Sequence, residues 1–260
     1  MKEEQSMKQP VVIIGIGEIG SVFARGFLRC GHPVYPITRD MDLETEANNI
    51  PNPELVLIAV GETALQDILT RIPQQWRSKI ALIQNELLPT DWQQQDYSDP
   101  TVISVWFEKK KGQDVKVVVP SPTYGPHAQQ LANALDALDI PNEVLQDEAQ
   151  LLQELVRKNY YILTTNIAGL KTGGSVSELW EKHEDFARTV LSDIYKLQAH
   201  LTDQPLDHEA LIDAMVVAFK GDPDHQCMGR SAPARLARAL QIAEQEKIEV
   251  AVVQGISDSI

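Results

Sequence analysis

Positive charge is scarce in this chain. Its 23 lysines and arginines face 37 aspartates and glutamates, a formal net charge of -14, and so acidic a molecule repels nucleic acid and anionic membranes at long range. An anionic small ligand therefore needs locally placed cations. Cysteine is scarcer still: Cys30 and Cys227 show no metal-ligand spacing, and in a reducing compartment such a pair stays as two free, buried thiols. Long apolar runs are missing too. The opening MKEEQSMKQP is polar, and the VVIIGIG that follows is far too short for a signal-peptide core or a membrane span, which predicts a soluble, cytoplasmic protein. His183, His200, His208 and His225 have no spacing that suggests a metal site. No Ser-His-Asp or Cys-His set stands out in local sequence.

What is present is ordinary globular material: 260 residues, 43% hydrophobic and 23% charged, enough for one large domain or two modest ones. Residues 10–39 read as strand, glycine turn, helix and second strand, with Ile19, Val22, Phe23, Phe27 and Leu28 on the helix and Gly31 stopping it. After a polar loop, LVLIAV (55–60) is a strand of the kind buried in a parallel sheet, followed by a helix over 63–72 and the strand KIALIQN (79–85). This alternation predicts a doubly wound α/β domain. TVISVWFE (101–108) and DVKVVVP (114–120) predict a hairpin adding antiparallel strands to that sheet, and PSPTYGP a rigid turn before the helix HAQQLANALDAL. Beyond residue 148 strand signals vanish, and helical patterns fill 148–171, 176–201, 206–219 and 233–247. The expected organisation is a dinucleotide-binding domain over 1–146 and a helical substrate or dimerisation domain over 147–260.

Gly15-Ile16-Gly17-Glu18-Ile19-Gly20 forms a G-x-G-x-x-G between the first strand and the first helix. Gly15 permits the tight turn, Gly17 removes a Cβ that would block a pyrophosphate, and Gly20 lets helix and strand pack closely. The free N–H groups at the helix start, around Glu18 and Ile19, then face the phosphates. An NAD site usually ends the second strand on an acid, whereas here the order is Ile37-Thr38-Arg39-Asp40. Thr38 and Arg39 suit a 2′-phosphate, so NADP is favoured over NAD; Asp40 keeps NAD open.

A second feature is the helix RKNYYILTTNIAGL (157–170). At about 100° per residue its apolar side chains fall all round the cylinder, while Lys158, Asn159, Thr165 and Asn166 crowd into one sector of about 120°. An ammonium and two amides on a helix otherwise built for burial suggest the wall of a site. Their plainer reading is a snorkelling lysine and amides that tie helices together. Arg230 and Ser231, ahead of Pro233 at a helix start, are candidates for a substrate carboxylate, or an ordinary cap. Lys109, Lys110 and Lys111 read as a solvated hairpin turn, and His127 as a polar helix start.

The glycine turn with its Gly31-His32 and Arg39, the IQNELLP turn, the hairpin leading to SPTYGP, and Lys158 with Asn166 eight residues later together resemble the ketopantoate reductase family, within the 6-phosphogluconate-dehydrogenase-like superfamily. The resemblance implies a Rossmann-type sheet followed by an all-helical domain, a soluble NADP-dependent reductase, a small anionic 2-oxo acid substrate and a homodimer. It gives Asn85 a place beside nicotinamide and substrate. Lys158 becomes the proton donor to the reduced oxygen, and Asn166 the second amide on its helix. In four places the chain departs from the family. Ile162 stands where an Asn belongs, with Asn159 as a substitute amide; Gly61 and Glu62 meet a family Lys; Ser231 replaces a Glu; and a family Ser has no match near Phe219 and Lys220. A dinucleotide-binding sensor or degenerate paralogue without turnover is the opposing reading.

Overall fold

The computed structural model describes residues 8–260, so the polar stretch 1–7, with the start of the expected first domain, lies outside the described residues. The chain divides into two compact units, the second being Gln153–Ile260. The division falls inside a helix that begins at Glu148, later than the expected boundary at 146.

In the first unit, the apolar tetrads β1 (Val11–Ile14) and β3 (Leu55–Ile58) are wholly buried, with α1 (Glu18–Arg29), β2 (Val34–Ile37) and α2 (Leu43–Asn49) between them in sequence. Then follow α3 (Leu65–Arg71), β4 (Ile80–Leu82), α4 (Pro89–Gln93), β5 (Thr101–Ile103), the pair β6 (Phe107–Glu108) and β7 (Lys116–Val117), β8 (Ser121–Tyr124), α5 (Ala128–Asp136) and β9 (Asn142–Val144). The main sheet has seven strands in the order β2-β1-β3-β4-β5-β8-β9. Strands β2 to β5 run parallel, and β8 is antiparallel to β5. Burial on both faces explains the unbroken apolar runs.

Helix α1 buries Val22, Phe23, Gly26 and Phe27, which recur at three- and four-residue spacing, against β1, β3 and α5. Full burial of each aromatic is worth roughly 1.5–3 kcal/mol. A Cβ at Gly26 would collide with the Ala134 carbonyl of α5, so the two helix backbones touch there. Gly31, at φ +82°, ends the helix while His32 N–H returns to the Phe27 carbonyl.

Several expectations for this unit are corrected. The expected antiparallel hairpin is present, but the run 101–108 breaks after Ile103, and β6 from its remainder pairs with β7 of the second run as a separate two-stranded sheet instead of joining the main one. SPTY is a buried strand, not a turn: Ser121 Oγ accepts the Trp106 N–H, and β8 takes the antiparallel place beside β5. The polar loop holds a short helix, α2, because Asp42 caps it through Thr45 N–H (2.9 Å) and Ala47 is buried beneath.

The second unit contains most of α6 (Glu148–Thr172), then α7 (Val176–Thr202), α8 (His208–Gly221), α9 (Ala232–Glu246) and α10 (Ala251–Ser257), the last unexpected from sequence. Every residue of α6 from Asn159 to Gly169 is buried, which is why its apolar residues point in all directions. Ser175 and Glu178 form a capping box on α7. The buried carboxylate of Asp193 accepts Val252 N–H (2.8 Å) and Val253 N–H (3.2 Å), tying down the start of α10. Among the described residues no helix is long and apolar enough to cross a membrane.

Both cysteines are free thiols, but only Cys227 is buried; Cys30 is partly open. Cys227 lies against Gly169, where a Cβ would come within 2.8 Å of it, and burial pushes its thiol up to about 12. In native protein at mildly alkaline pH, one thiol therefore titrates rapidly with a disulfide reagent and the second only in denaturant. Equal rates for the two thiols without denaturant would contradict this packing.

Candidate functional site

Strands β2 and β3 leave β1 in opposite directions across the sheet, which opens a crevice at the carboxyl end of β1. The three glycines there act by three different contacts. Gly15 turns at φ +94°, and a Cβ on it would come within 2.8 Å of the Ala59 carbonyl oxygen. A Cβ on Gly20 would collide with the Gly15 carbonyl. At Gly17, by contrast, no heavy atom lies within 4 Å of the Cβ position. Gly17 caps α1 with no side-chain bond, and the first helical bond runs from Ser21 N–H to the Gly17 carbonyl. The N–H groups of Glu18, Ile19 and Gly20 thus have no acceptor within the helix, and the macrodipole adds its positive end.

From this turn a cavity of about 760 Å³ runs over the carboxyl ends of β1, β2 and β3. Gly15 and Gly17 line it at one side, Thr38 and Arg39 at another, and Gly61 with Arg71 at a third. β2 ends at Ile37, so Thr38 and Arg39 are the first residues beyond it, and the Met41 N–H to Thr38 carbonyl bond (3.1 Å) folds Thr38–Met41 into a turn. Thr38, Arg39 and Asp40 are all exposed. Arg71, at the end of α3, escaped the sequence reading because it looked like the last turn of a surface helix. Its Nη1 is 3.2 Å from Asp67, with the two side chains 52% and 68% exposed, and such an open pair holds little energy. Its charge also helps to lower the Asp42 carboxyl, chiefly held down by hydrogen bonds from Thr45.

Asn85 is in the same unit, in the turn after β4. Its Nδ2 donates to Glu62 Oε1 (3.2 Å), so an acid answers this amide. Next to it Gln84 donates to the carbonyls of Ile58 (2.7 Å) and Val60 (3.1 Å), pinning the end of β3. Glu86 takes φ +61°, in the left-handed region that non-glycine residues seldom adopt.

The remaining sequence candidates belong to the second unit. Lys158 is partly buried, with Nζ 5.8 Å from the Tyr161 ring centre, and that ring packs on Phe219. Asn159 is 1% exposed and donates to Gln198 of α7 (2.9 Å). Asn166 donates to the Ile162 carbonyl (2.8 Å) and accepts from Arg235 Nη1 of α9 (3.0 Å). Arg235 was missed in sequence because it sits a full turn past the conspicuous Arg230, Ser231 and Pro233. Arg230 and Ser231 are exposed, and Ser231 is the N-cap residue of α9 without a side-chain capping bond. Ile162 is buried.

Lys109 corrects the expectation of a solvated turn. Its side chain is 19% exposed, and its ammonium lies 3.3 Å from Glu18 Oε2. Lys110 pairs with Glu108 (3.1 Å) and stays largely exposed. Among the described residues no group of three or more His, Cys, Asp or Glu is arranged to hold a metal ion.

No family model matches the chain, and no curated protein does. Solved structures do match. A 2-dehydropantoate 2-reductase from Methylococcus capsulatus is 13% identical, with 95% of this chain and 94% of that one covered at a TM-score of 0.68. A dimeric ketopantoate reductase from Staphylococcus aureus is 17% identical, with 95% of each chain covered and a TM-score of 0.60. D-mandelate dehydrogenase in complex with NADH is 13% identical, covers 96% of each chain and gives 0.64. At these identities the likeness is one of fold: this chain has the fold of the ketopantoate reductases and of D-mandelate dehydrogenase.

Proposed function

We propose that the chain is an NADP-dependent oxidoreductase that reduces a small 2-oxo acid or a related carbonyl compound. One observation carries the reading: the turn at Gly17 leaves open space and is followed by three helix-start N–H groups, and Gly17 lines one cavity together with Thr38, Arg39 and Arg71. A pyrophosphate is complementary to the first part and a 2′-phosphate to the second. Because β2 ends at Ile37, Asp40 stands three residues beyond the strand, while Thr38 and Arg39 follow it directly, which supports their use in binding the ribose phosphate. When bound, the dinucleotide supplies hydride to the carbonyl carbon.

The chain's own residues supply the rest. Lys158 delivers a proton to the oxygen that becomes anionic, and its ammonium stabilises that charge beforehand. Asn85 and Asn166 orient substrate and nicotinamide, each steadied by a charged neighbour, Glu62 and Arg235 respectively. The fold neighbours support the class of reaction, and the dimeric one supports a homodimer. The cytoplasm is the compartment that two free thiols suit.

The second reading, a dinucleotide-binding sensor without turnover, draws on α6: Ile162 offers no amide, and the Nδ2 groups of Asn159 and Asn166 are both engaged inside the helical unit. Titrating NADPH and NADH, then following cofactor oxidation with a panel of 2-oxo acids and cyclic imines, separates the two. Tight binding with no oxidation by any compound supports the sensor.

Three outcomes follow from the enzyme reading. Gly17→Ala folds normally but loses dinucleotide affinity by about tenfold or more, because its new Cβ occupies the open space, whereas Gly20→Ala lowers the melting temperature as well. Calorimetry on the two variants checks this. Arg39→Ala weakens NADPH by about tenfold while leaving NADH within about twofold, and Arg71→Ala does the same to a smaller extent; equal losses for both cofactors would remove the 2′-phosphate assignment. Lys158→Met keeps the NADPH dissociation constant but lowers kcat by about 10²-fold or more on any substrate found. Turnover at the wild-type rate would take Lys158 out of the mechanism.

A further inference from the structure

An acid at the first position of a pyrophosphate-binding helix is a physical contradiction. Glu18 is the first residue of α1, immediately after Gly17, and its side chain is 43% exposed. Without a ligand the macrodipole welcomes this carboxylate. Once a doubly anionic pyrophosphate occupies the same helix start, Glu18 repels it, and like charges in one partly desolvated site weaken binding.

Lys109 resolves the contradiction. It comes from the β6–β7 hairpin, far away in sequence, and the hairpin is fixed on α1 by the packing of Phe107 on Phe23, with ring centres 6.2 Å apart. Trp106 anchors the hairpin's base through its N–H to Ser121 Oγ (2.9 Å) and its carbonyl to Val118 N–H (2.8 Å). The ammonium is then held by two groups, Glu18 Oε2 at 3.3 Å and the Lys110 carbonyl at 2.9 Å. Its neighbour Lys110 bonds within its own hairpin, so the contact with α1 is specific to position 109.

We propose that Lys109 is a positioning residue for the dinucleotide, acting through Glu18: it cancels the carboxylate beside the glycine turn so that the turn accepts the pyrophosphate. The inference rests on the dinucleotide reading of that turn. It assigns the β6–β7 hairpin a share in cofactor affinity that is independent of the 2′-phosphate and therefore of the choice between NADP and NAD.

The test is a double-mutant cycle on full-length protein, with dissociation constants for NADPH, NADH and ADP-ribose measured by calorimetry at low and at high salt. Lys109→Met weakens all three by about tenfold at low salt, and less at high salt, while 2′-AMP, which has no pyrophosphate, is unaffected. Adding Glu18→Gln to Lys109→Met restores affinity to within about twofold of wild type. Glu18→Gln alone binds at least as tightly as wild type. A purely structural clamp gives the opposite pattern, since removing both partners then restores nothing. Wild-type affinity in Lys109→Met, a double variant as weak as the single one, or a loss confined to NADPH would overturn the proposal. If wild-type protein binds none of the three pyrophosphate ligands, the reading of the turn fails together with it; if wild type binds and Lys109→Met binds equally well, only the proposal fails.

Discussion

The closest backbone approach at the cavity, between Gly20 of α1 and the Gly15 carbonyl at the end of β1, is the constraint on which the rest of the first unit depends. No side chain fits between them, so the helix starts hard against the strand it follows, and its free N–H groups open at the carboxyl edge of the sheet. The same approach fixes the roll of α1, which puts Val22, Phe23 and Phe27 into the core and leaves Glu18 exposed beside the glycine turn. Gly26 against Ala134 repeats the device two turns later and holds α1 on α5. Close packing with two contact points of this kind leaves little freedom for the turn, so the helix-start donors are held in fixed directions.

Charge is distributed with the same economy. In a chain of net charge -14, two cations of the first unit stand beside an acid: Arg71, which lines the cavity, beside Asp67, and Lys109 beside Glu18. An exposed pair of this sort contributes little stability, and its interest lies in what it does to a third charge. In the second unit the amides of α6 serve two masters. Asn159 joins α6 to α7 through Gln198, and Asn166 joins it to α9 through Arg235. Buried amides left without partners would cost about 1–3 kcal/mol each, so these bonds stabilise the helical unit.

Much of this was legible in the residues. Glycine at three positions, apolar runs of four and helical periodicity after residue 148 are local signals, and local signals are what sequence records well. The misreadings share one cause. SPTY contains proline and looks like a turn, yet its place beside β5 comes from pairing across the sheet. TVISVWFE looks like one strand, yet the chain leaves the sheet at Ser104 so that Phe107 can pack on Phe23. The polar segment before β3 hides a helix because its single buried face, Leu43 and Ala47, is too short to show a period. Lys109 and Arg235 read as surface charge, and their distant partners, Glu18 and Asn166, distinguish them; Arg71 pairs within its own helix, and its place in the cavity lining sets it apart.

By itself, then, the sequence determined the βα alternation, the helical second half and the glycine turn, because each follows from backbone freedom, apolar spacing or the lack of a Cβ within a short segment. Tertiary structure decided which cations meet which acids, which strand stands antiparallel, and which amides on α6 are already engaged. Those outcomes depend on contacts between residues as far apart as Glu18 and Lys109 or Asn166 and Arg235, and no local pattern encodes a distance that only the folded chain creates.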